Sequence, residues 1–338
     1  MPKFQDYLFS AKDGKQHQQI RIQLMKDIEE QTKRKLIVYA ADFKKSAPGA
    51  PNTIEPDDKT GFSDLIEGLE GQPLDIVIRS PGGSAEAVEQ LVSMLRANFD
   101  DIRFIVPDMA TSAATLMCLS GNSILMDEQS FLGPIDPQIE MVSPHGRMRF
   151  PAQTLIDGFE RAQKAIVQDE RALPVFLPWL NQFGPFVQVC QNAIDLSVEL
   201  ATKWAEEYML AGQKNARERA KKIAAYLSNH SLHKSHGRPI GINDAISNDL
   251  QVIDLRKQPA LRELVRKLWA TIDLYFGRSA SVKIFENPYG VNWSRNIVVQ
   301  QITIPMPSPF QPPGQPPQTT QPPQQARPSR PKKRRKKR

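Results

Sequence analysis

Residues 74–121 limit the possible folds of this chain more than any other stretch. Two apolar runs, at 74–78 and 102–106, have the composition and length of buried strands. Between them, the segment SPGG at 80–83 marks a turn, and the residues after it place apolar side chains at helical spacing. The pattern predicts a strand, a turn, a helix and a second strand. Because strand and helix alternate in this way, we expect a parallel sheet with right-handed crossovers.

A serine occupies the predicted start of the next helix. Small residues follow Pro107 and lead into the apolar run LMCL at 116–119, which places Ser112 at a helix N-terminus. Unpaired N–H groups and the positive end of the helix dipole would stabilise an oxyanion there. The glycines at 82 and 83 let a second backbone segment come close and direct an N–H inward. The alternative is that Ser112 is a helix cap or a close-packing residue.

Three segments resemble a known group of enzymes. They are IVIRSPGGSAEAVEQL at 76–91, PDMATSAATLMCLSGNSILMDEQSFLGPIDPQ at 107–138 and, more loosely, SHGRPI at 235–240. The chain resembles the Clp protease and crotonase superfamily, and within it the signal peptide peptidase and serine dehydrogenase proteinase branch, over about residues 35–255. The resemblance implies an α/β fold in which parallel strands and helices form a spiral, with a helical C-terminal extension.

The resemblance also implies roles for particular residues. Ser112 stands where the family has its nucleophile. Backbone N–H groups at Gly83 and Ala113 stand where the family holds the tetrahedral oxyanion, and Gly82 belongs to the same turn. We therefore assign the oxyanion hole to Gly82, Gly83 and Ala113.

The base that accepts the serine proton is harder to assign. Clp-type relatives have a histidine after the strand that follows the nucleophile, but the stretch at 130–137 contains none. Signal peptide peptidases use a lysine roughly fifty residues beyond the serine, and Lys164, in the helical stretch 152–171, lies at about that distance. We predict that Lys164 is the base, with Lys203 or His145 next. A surface pairing with Glu160 is the alternative for Lys164.

Other polar residues carry weaker signals. His145 is expected in an exposed loop or hairpin. His230, His233 and His236 have spacing that suggests a metal site, but no cysteine or carboxylate pattern joins them, so we predict a solvated turn. Asp136 caps or lines the site in this interpretation, without an assigned mechanism. We expect neither a metal nor another cofactor.

Composition restricts the cellular setting. Cys118 and Cys190 lie in apolar helical stretches and are expected to be small core residues in a reducing compartment. The N-terminal segment lacks the apolar core of a signal peptide, and no run of apolar residues is long enough to span a membrane. We therefore expect a cytoplasmic protein without a membrane span, which makes signal peptides a doubtful substrate.

Four segments are predicted. Residues 1–34 form an N-terminal helical arm, 35–255 the peptidase domain, 256–304 a helical and strand extension, and 305–338 a disordered Pro/Gln-rich tail. Within the peptidase domain, the loop at 44–59 is also expected to be disordered. The tail carries nine Lys and Arg and no acid, which exceeds the net charge of +7 of the chain. This excess of positive charge predicts nonspecific contact of the tail with a polyanion. The alternative is that the tail serves only solubility.

These observations predict a serine peptidase that acts on peptide or protein substrates through a Ser-Lys acyl-enzyme mechanism and assembles as a homo-oligomer. Two alternatives stay open. One is crotonase-like acyl-thioester chemistry, which needs a similar oxyanion hole but not Ser112. The other is a catalytically silent scaffold that binds nucleic acid or membrane through its basic tail.

Overall fold

The computed structural model describes residues 14–45, 50–143 and 146–297. The helices are α1 (Gly14–Thr32), α2 (Asp58–Ile66), α3 (Ala85–Asn98), α4 (Ala113–Cys118), α5 (Ala152–Gln168), α6 (Leu173–Phe183), α7 (Val187–Trp204), α8 (Ala216–Ser228), α9 (His230–His233), α10 (Ile242–Ser247) and α11 (Pro259–Arg278). The strands are β1 (Lys35–Ala41), β2 (Leu74–Arg79), β3 (Ile102–Val106), β4 (Met109–Ala110), β5 (Ser123–Met126), β6 (Phe131–Leu132), β7 (Gln138–Ser143), β8 (Gly146–Pro151), β9 (Ile240–Gly241), β10 (Val252–Asp254), β11 (Ser281–Glu286) and β12 (Asn292–Asn296).

A seven-stranded sheet forms the centre of the described part of the chain. Its strand order is β10-β5-β3-β2-β1-β11-β12. The first five of these strands run parallel, and β11 and β12 extend the sheet in antiparallel fashion. Every residue of β2 is buried, as expected for a strand covered on both faces. The prediction of a parallel sheet from alternating strands and helices is confirmed.

Helices cover both faces of this sheet. On one face, α1 and α11 pack together over β1, β2, β3 and β5, and their contacts include Ile28, Leu268 and Ile272. On the other face, α2, α3, α4, α7 and α8 enclose the larger core cluster. The described parts of the predicted N-terminal arm (14–34) and extension (256–297) therefore pack on the same sheet as the central region, because α1 and α11 share one core and β11 pairs with β1. The predicted domain boundaries stay a prediction.

Helices α5, α6 and α7, with the β7–β8 hairpin, form a region that we call the helical arm (138–204). It has a small core of its own around Ala152, Leu155 and Cys190. Several of its apolar side chains face solvent, and Val167 and Val175 are 81% and 75% exposed. The arm therefore presents apolar surface that the described part of the chain does not cover.

The loop predicted to be disordered at 44–59 is ordered in its second half. Ile54 is fully buried and forms a parallel bridge with Gly83, and α2 begins at Asp58. The prediction was wrong for residues 50–59 because this segment pairs with the SPGG turn, a long-range contact that its polar composition does not reveal. Residues 46–49 and the tail at 305–338 lie outside the described residues.

Candidate active site

Ser112 has an unusual backbone conformation at the start of α4. Its φ is 55° and its ψ is −125°, a region that side chains other than glycine rarely adopt. The Ser112 side chain makes no capping hydrogen bond to the helix. The hydroxyl is therefore not used as a cap, and the strained turn holds it at the end of β4. Strain of this kind concentrates at functional sites.

The SPGG turn lies directly against Ser112. Ser80 bridges Ala110 in parallel, with hydrogen bonds from Ser80 N to Met109 O and from Thr111 N to Ser80 O. A Cβ atom on Gly82 would lie 2.7 Å from the Cβ of Ser112, and Gly82 has a φ of 97°. Only glycine satisfies both the contact and the conformation.

Gly83 directs its N–H away from its bridge partner. Ile54 N donates to Gly82 O, and Ser84 N donates to Ile54 O, at 2.8 and 3.0 Å. In a parallel bridge of this kind, Ile54 bonds to the residues on either side of Gly83, so the N–H and C=O of Gly83 point to the opposite side. A Cβ at Gly83 would lie 2.2 Å from Ile54 O. The buried Ile54 segment therefore fixes the peptide that carries this N–H.

Ala113 supplies the second N–H group. It is the first residue of α4, where an N–H has no partner within the helix. Gly83, Ser112 and Ala113 all line one cavity, of about 250 Å³. The cavity combines a hydroxyl with two backbone donors, an arrangement that can hold an oxyanion. Its other lining residues are Ser84, Ala85, Glu86, Leu116, Ile135, Pro137, Gln138, Ile139, Arg149, Ala193, Leu196 and Ser197.

A buried carboxylate adjoins this cavity. Asp136 lies between two cavity residues, Ile135 and Pro137, and is 3% exposed. Its Oδ1 accepts a hydrogen bond of 2.7 Å from Nδ1–H of His236, and its Oδ2 lies 3.1 Å from Nδ1 of His230. The Nε2 atom of His236 is buried and, among the described residues, has no hydrogen-bond partner. An imidazole held in this way presents Nε2 as a base.

A small three-stranded sheet of described residues brings Asp136 and His236 together. Strand β4 runs parallel to β6, and β9 runs antiparallel to β6 with Leu132 opposite Ile240. If the register between β6 and β9 is continued beyond Leu132, Asp136 lies opposite His236. Because β4 runs parallel to β6, Ser112, which follows β4, lies at the same end of the sheet as Asp136. Ser112 therefore follows β4, Asp136 follows β6 and His236 precedes β9, all at the same end of this small sheet.

The histidines do not form the solvated turn predicted for them. His233 is buried, its Nε2 lies 2.8 Å from Tyr226 O, and its ring packs against that of Tyr226. His230 and His236 contact Asp136. Within the described residues, no group of three or more His, Cys, Asp or Glu has the arrangement of a metal site.

Lys164 lies apart from the Ser112 cavity. It is on α5, its side chain is 76% exposed, and its Nζ is 3.7 Å from Oε2 of Glu160. It lines a surface depression of the helical arm together with Asp157, Arg161 and Gln168. Lys164 therefore makes the surface pairing that was the alternative, and its catalytic role stays a prediction.

The remaining candidates for the base, and the two cysteines, lie elsewhere. Lys203 lines a separate groove between α7 and α8 with Glu199, Glu207 and Lys221. His145 lies outside the described residues. Cys118 and Cys190 are free and buried, as the prediction of core residues requires, and burial raises the pKa of both thiols.

Comparison with known proteins agrees with this geometry. The sequence model of the ClpP-like SDH-type serine proteinases matches residues 8–264, which is more than half of the chain. The chain belongs to this family. The mixed α/β architecture with its parallel strands is therefore that of a ClpP-like serine proteinase. A Ser-Lys mechanism fits a family of serine proteinases, because it needs only a serine nucleophile and an amine that takes the proton.

Two curated relatives are uncharacterized proteins of Methanocaldococcus jannaschii. One is 29% identical over 54% of this chain and 54% of its own length, and the other is 26% identical over 65% and 64%. The chain thus spans between about half and two thirds of the length of these relatives.

Solved structures with related folds have low identity. Two variant forms of the 1510-N membrane-bound stomatin-specific protease, one in complex with a substrate peptide, are each 15% identical, with TM-scores of 0.37 and 0.36. They cover 62% and 72% of this chain, and 79% and 83% of their own chains. A ClpP1 variant from Listeria monocytogenes is 12% identical with a TM-score of 0.33, covering 68% of this chain and 96% of its own.

In the described part of this chain, no helix combines the length and apolar composition needed to cross a membrane.

Proposed function

We propose that the chain hydrolyses peptide bonds through an acyl-enzyme formed on Ser112. The observation that carries this proposal is the position of a strained serine in one cavity with the N–H groups of Gly83 and Ala113. The Ser112 Oγ attacks the scissile carbonyl carbon, and the carbonyl oxygen becomes an oxyanion that the two N–H groups hold. Collapse of this intermediate releases the amine, and water then releases the acid and restores the serine.

The backbone of Gly83, on the side that faces away from Ile54, could bind a substrate peptide in an extended conformation. Its N–H and C=O face away from Ile54, and the C=O can accept a hydrogen bond from a peptide backbone while the N–H serves the oxyanion. A peptide bound in this way lies as a short added strand, a common mode of peptide recognition. Its side chains would alternate between the cavity and solvent.

Two groups are proposed as the proton carrier. The distance along the chain favours Lys164, and in that role its amine would have to reach Ser112 from a second copy, because within one chain it lies on the exposed face of α5. The Asp136–His236 pair is the other candidate. The contacts within one chain favour this pair, because Asp136 orients the ring and Nε2 is left without a partner among described residues.

Self-association belongs to the same proposal. Val167, Val175 and Val189 on the helical arm are exposed, and a second copy packed there would remove them from water. Sedimentation of the protein and of a Val167→Glu, Val175→Glu double variant tests this point. Loss of the oligomer in the variant supports the arm as the contact, and an unchanged oligomer excludes it.

The tail and the location of the protein also stay proposals. The basic tail supports weak, salt-dependent contact with a polyanion, which titration of full-length protein and a variant lacking 305–338 with duplex DNA would test. Equal affinity of both forms would exclude the tail as the binding segment.

The two free, buried cysteines support a cytoplasmic location.

Burst kinetics test the proposed reaction. An activated ester substrate should give a rapid release of its alcohol equal in amount to the enzyme, followed by slower turnover, because the acyl-enzyme accumulates. The same protein should cleave an unstructured protein substrate, and Ser112→Ala should do neither. Turnover of acyl-thioesters without any peptide cleavage would instead favour crotonase-like chemistry.

A further inference from the structure

The cavity beside Ser112 is lined by two charged side chains, Glu86 and Arg149. Groups of the chain itself stabilise the charge of Glu86. Glu86 lies in the first turn of α3, where the positive end of the helix dipole favours a carboxylate. It accepts a hydrogen bond of 2.7 Å from the hydroxyl of Ser84, and this bond lowers the pKa of Glu86. The negative charge in the cavity is therefore stabilised from within the chain.

Among the described side chains, Arg149 has no such partner. It lies on β8, and the hairpin register places it opposite Glu140, yet none of the ion pairs formed by described side chains includes Arg149. Glu86, in the same cavity, makes no ion pair with it either. A guanidinium has five N–H donors in a planar fork that matches a carboxylate. Arg149 thus brings to the cavity of Ser112 a guanidinium that makes no ion pair with any described side chain.

The remainder of the cavity suits one side chain of an extended peptide. Its volume of about 250 Å³ is below the roughly 300–1,000 Å³ of pockets for drug-sized ligands. Leu116, Ile135 and Leu196 supply apolar walls. Arg149 itself is exposed, so a substrate carboxylate can reach it, and a charge pair that the bound peptide covers is stronger than one in bulk solvent.

We propose that Arg149 is a specificity-determining residue that binds a carboxylate of the substrate close to the scissile bond. The inference rests on the proposed peptidase function and names its substrate class. Two sources of carboxylate fit the same guanidinium. One is an Asp or Glu side chain near the cleaved bond, and the other is the free C-terminus of a peptide cut near its end. Both would form a bidentate, charge-assisted pair with Arg149.

Matched internally quenched peptides test this proposal. One set places Glu, Gln or Lys at each position around the scissile bond in an otherwise identical peptide, and each peptide is made with a free and with an amidated C-terminus. We expect kcat/KM for the favoured carboxylate peptide to exceed that of its neutral counterpart by about 10-fold or more, the size of one charge-assisted hydrogen bond. A preference that follows Glu identifies the side chain, and one lost on amidation identifies the C-terminus.

Variants of Arg149 separate the proposal from the peptidase function itself. Arg149→Gln should reduce the ratio of kcat/KM between the carboxylate peptide and its neutral counterpart to about one, Arg149→Lys should keep part of the preference, and Arg149→Glu should shift it toward Lys. Arg161→Gln, an arginine on α5 outside the cavity, is the matched control and should retain the preference. An unchanged ranking of peptides in Arg149→Gln would overturn the role of Arg149 and leave the proposed function intact. Absence of cleavage of every peptide by the wild-type protein would overturn both.

Discussion

The Nδ1 atom of His236 lies 2.7 Å from Oδ1 of Asp136, although one hundred residues separate them along the chain. Asp136 immediately precedes a residue of the Ser112 cavity and is almost fully buried. A buried carboxylate that accepts Nδ1–H fixes the ring and stabilises the imidazolium that forms when Nε2 takes a proton. This pair and Lys164 are the two groups that we propose as candidates for the base that activates Ser112.

Replacement of each candidate base distinguishes these two ways. We expect His236→Gln to lower kcat by about 10²–10⁴-fold, the usual contribution of a general base. His230→Gln, which removes the other histidine partner of Asp136, should have a smaller effect. Lys164→Met keeps the aliphatic volume and should leave kcat within about twofold if the lysine only pairs with Glu160 on the surface. A large loss in Lys164→Met together with normal turnover in His236→Gln would assign the base to Lys164.

The backbone of Ser112 predicts a conflict between activity and stability. A residue other than glycine at a φ of 55° and ψ of −125° is strained by about 1–3 kcal/mol. We therefore expect Ser112→Gly to unfold at higher urea concentration than Ser112→Ala, while both variants are inactive. Equal stability of the two variants would show that the turn at residue 112 stores no strain.

Gly83→Ala tests the oxyanion hole. The new Cβ would lie 2.2 Å from Ile54 O, so the peptide must move and its N–H loses its direction. We expect kcat to fall by about 10²–10³-fold, as for loss of one oxyanion donor. Gly277→Ala is the matched control, because a Cβ there has open space and alanine stabilises a helix by roughly 0.5–1 kcal/mol relative to glycine. Normal turnover in Gly83→Ala would remove the SPGG turn from the site.

The acid stability of the protein should depend on Asp127. Burial raises the pKa of this carboxyl, but hydrogen bonds from Arg262 and Arg266 on α11 outweigh burial and lower it. Because the folded pKa is below the unfolded value, the stabilisation is present above the usual Asp pKa of about 3.9 and is lost as the pH falls through the lower, folded value.

Urea unfolding of Asp127→Asn measures this contribution. At neutral pH the variant should lose about 1.5–3 kcal/mol in the free energy of unfolding, the size of hydrogen bonds to charged groups. The difference from wild type should shrink at a pH well below the usual Asp pKa. Asp169→Asn, which removes an exposed partner of Arg171, should change little at either pH. A difference for Asp127→Asn that is independent of pH would contradict a lowered pKa of Asp127 in the folded protein.

The local parts of the site could be predicted from the sequence because they lie within two short segments. The turn at Gly82 and Gly83 and the helix start at Ser112 each depend on neighbours in the chain, and the structure has both features. Their mutual contact follows from the parallel bridge between Ser80, just after β2, and Ala110 in β4, and the alternation of strand and helix already implied a parallel arrangement of this kind.

The contact between Asp136 and His236 could not be predicted in the same way. Strands β6 and β9, which bring Asp136 to His236, have two residues each and carry no readable periodicity. The prediction of Lys164 depends on its distance along the chain, which does not determine its distance in space. Nothing in the sequence pairs the GPID segment at 133–136 with SHGRPI at 235–240, so the contact of Asp136 with His236 had no sequence signal.

Covalent labelling with a fluorophosphonate tests the central claim most directly. The reagent reacts with an activated serine and mimics the tetrahedral intermediate of acyl transfer. Mass spectrometry of the digested adduct should locate a single modification at Ser112, and the Ser112→Ala variant should remain unlabelled under the same conditions. Failure of the folded, peptide-cleaving protein to react, or a modification at another serine, would contradict the assignment of Ser112 as the nucleophile.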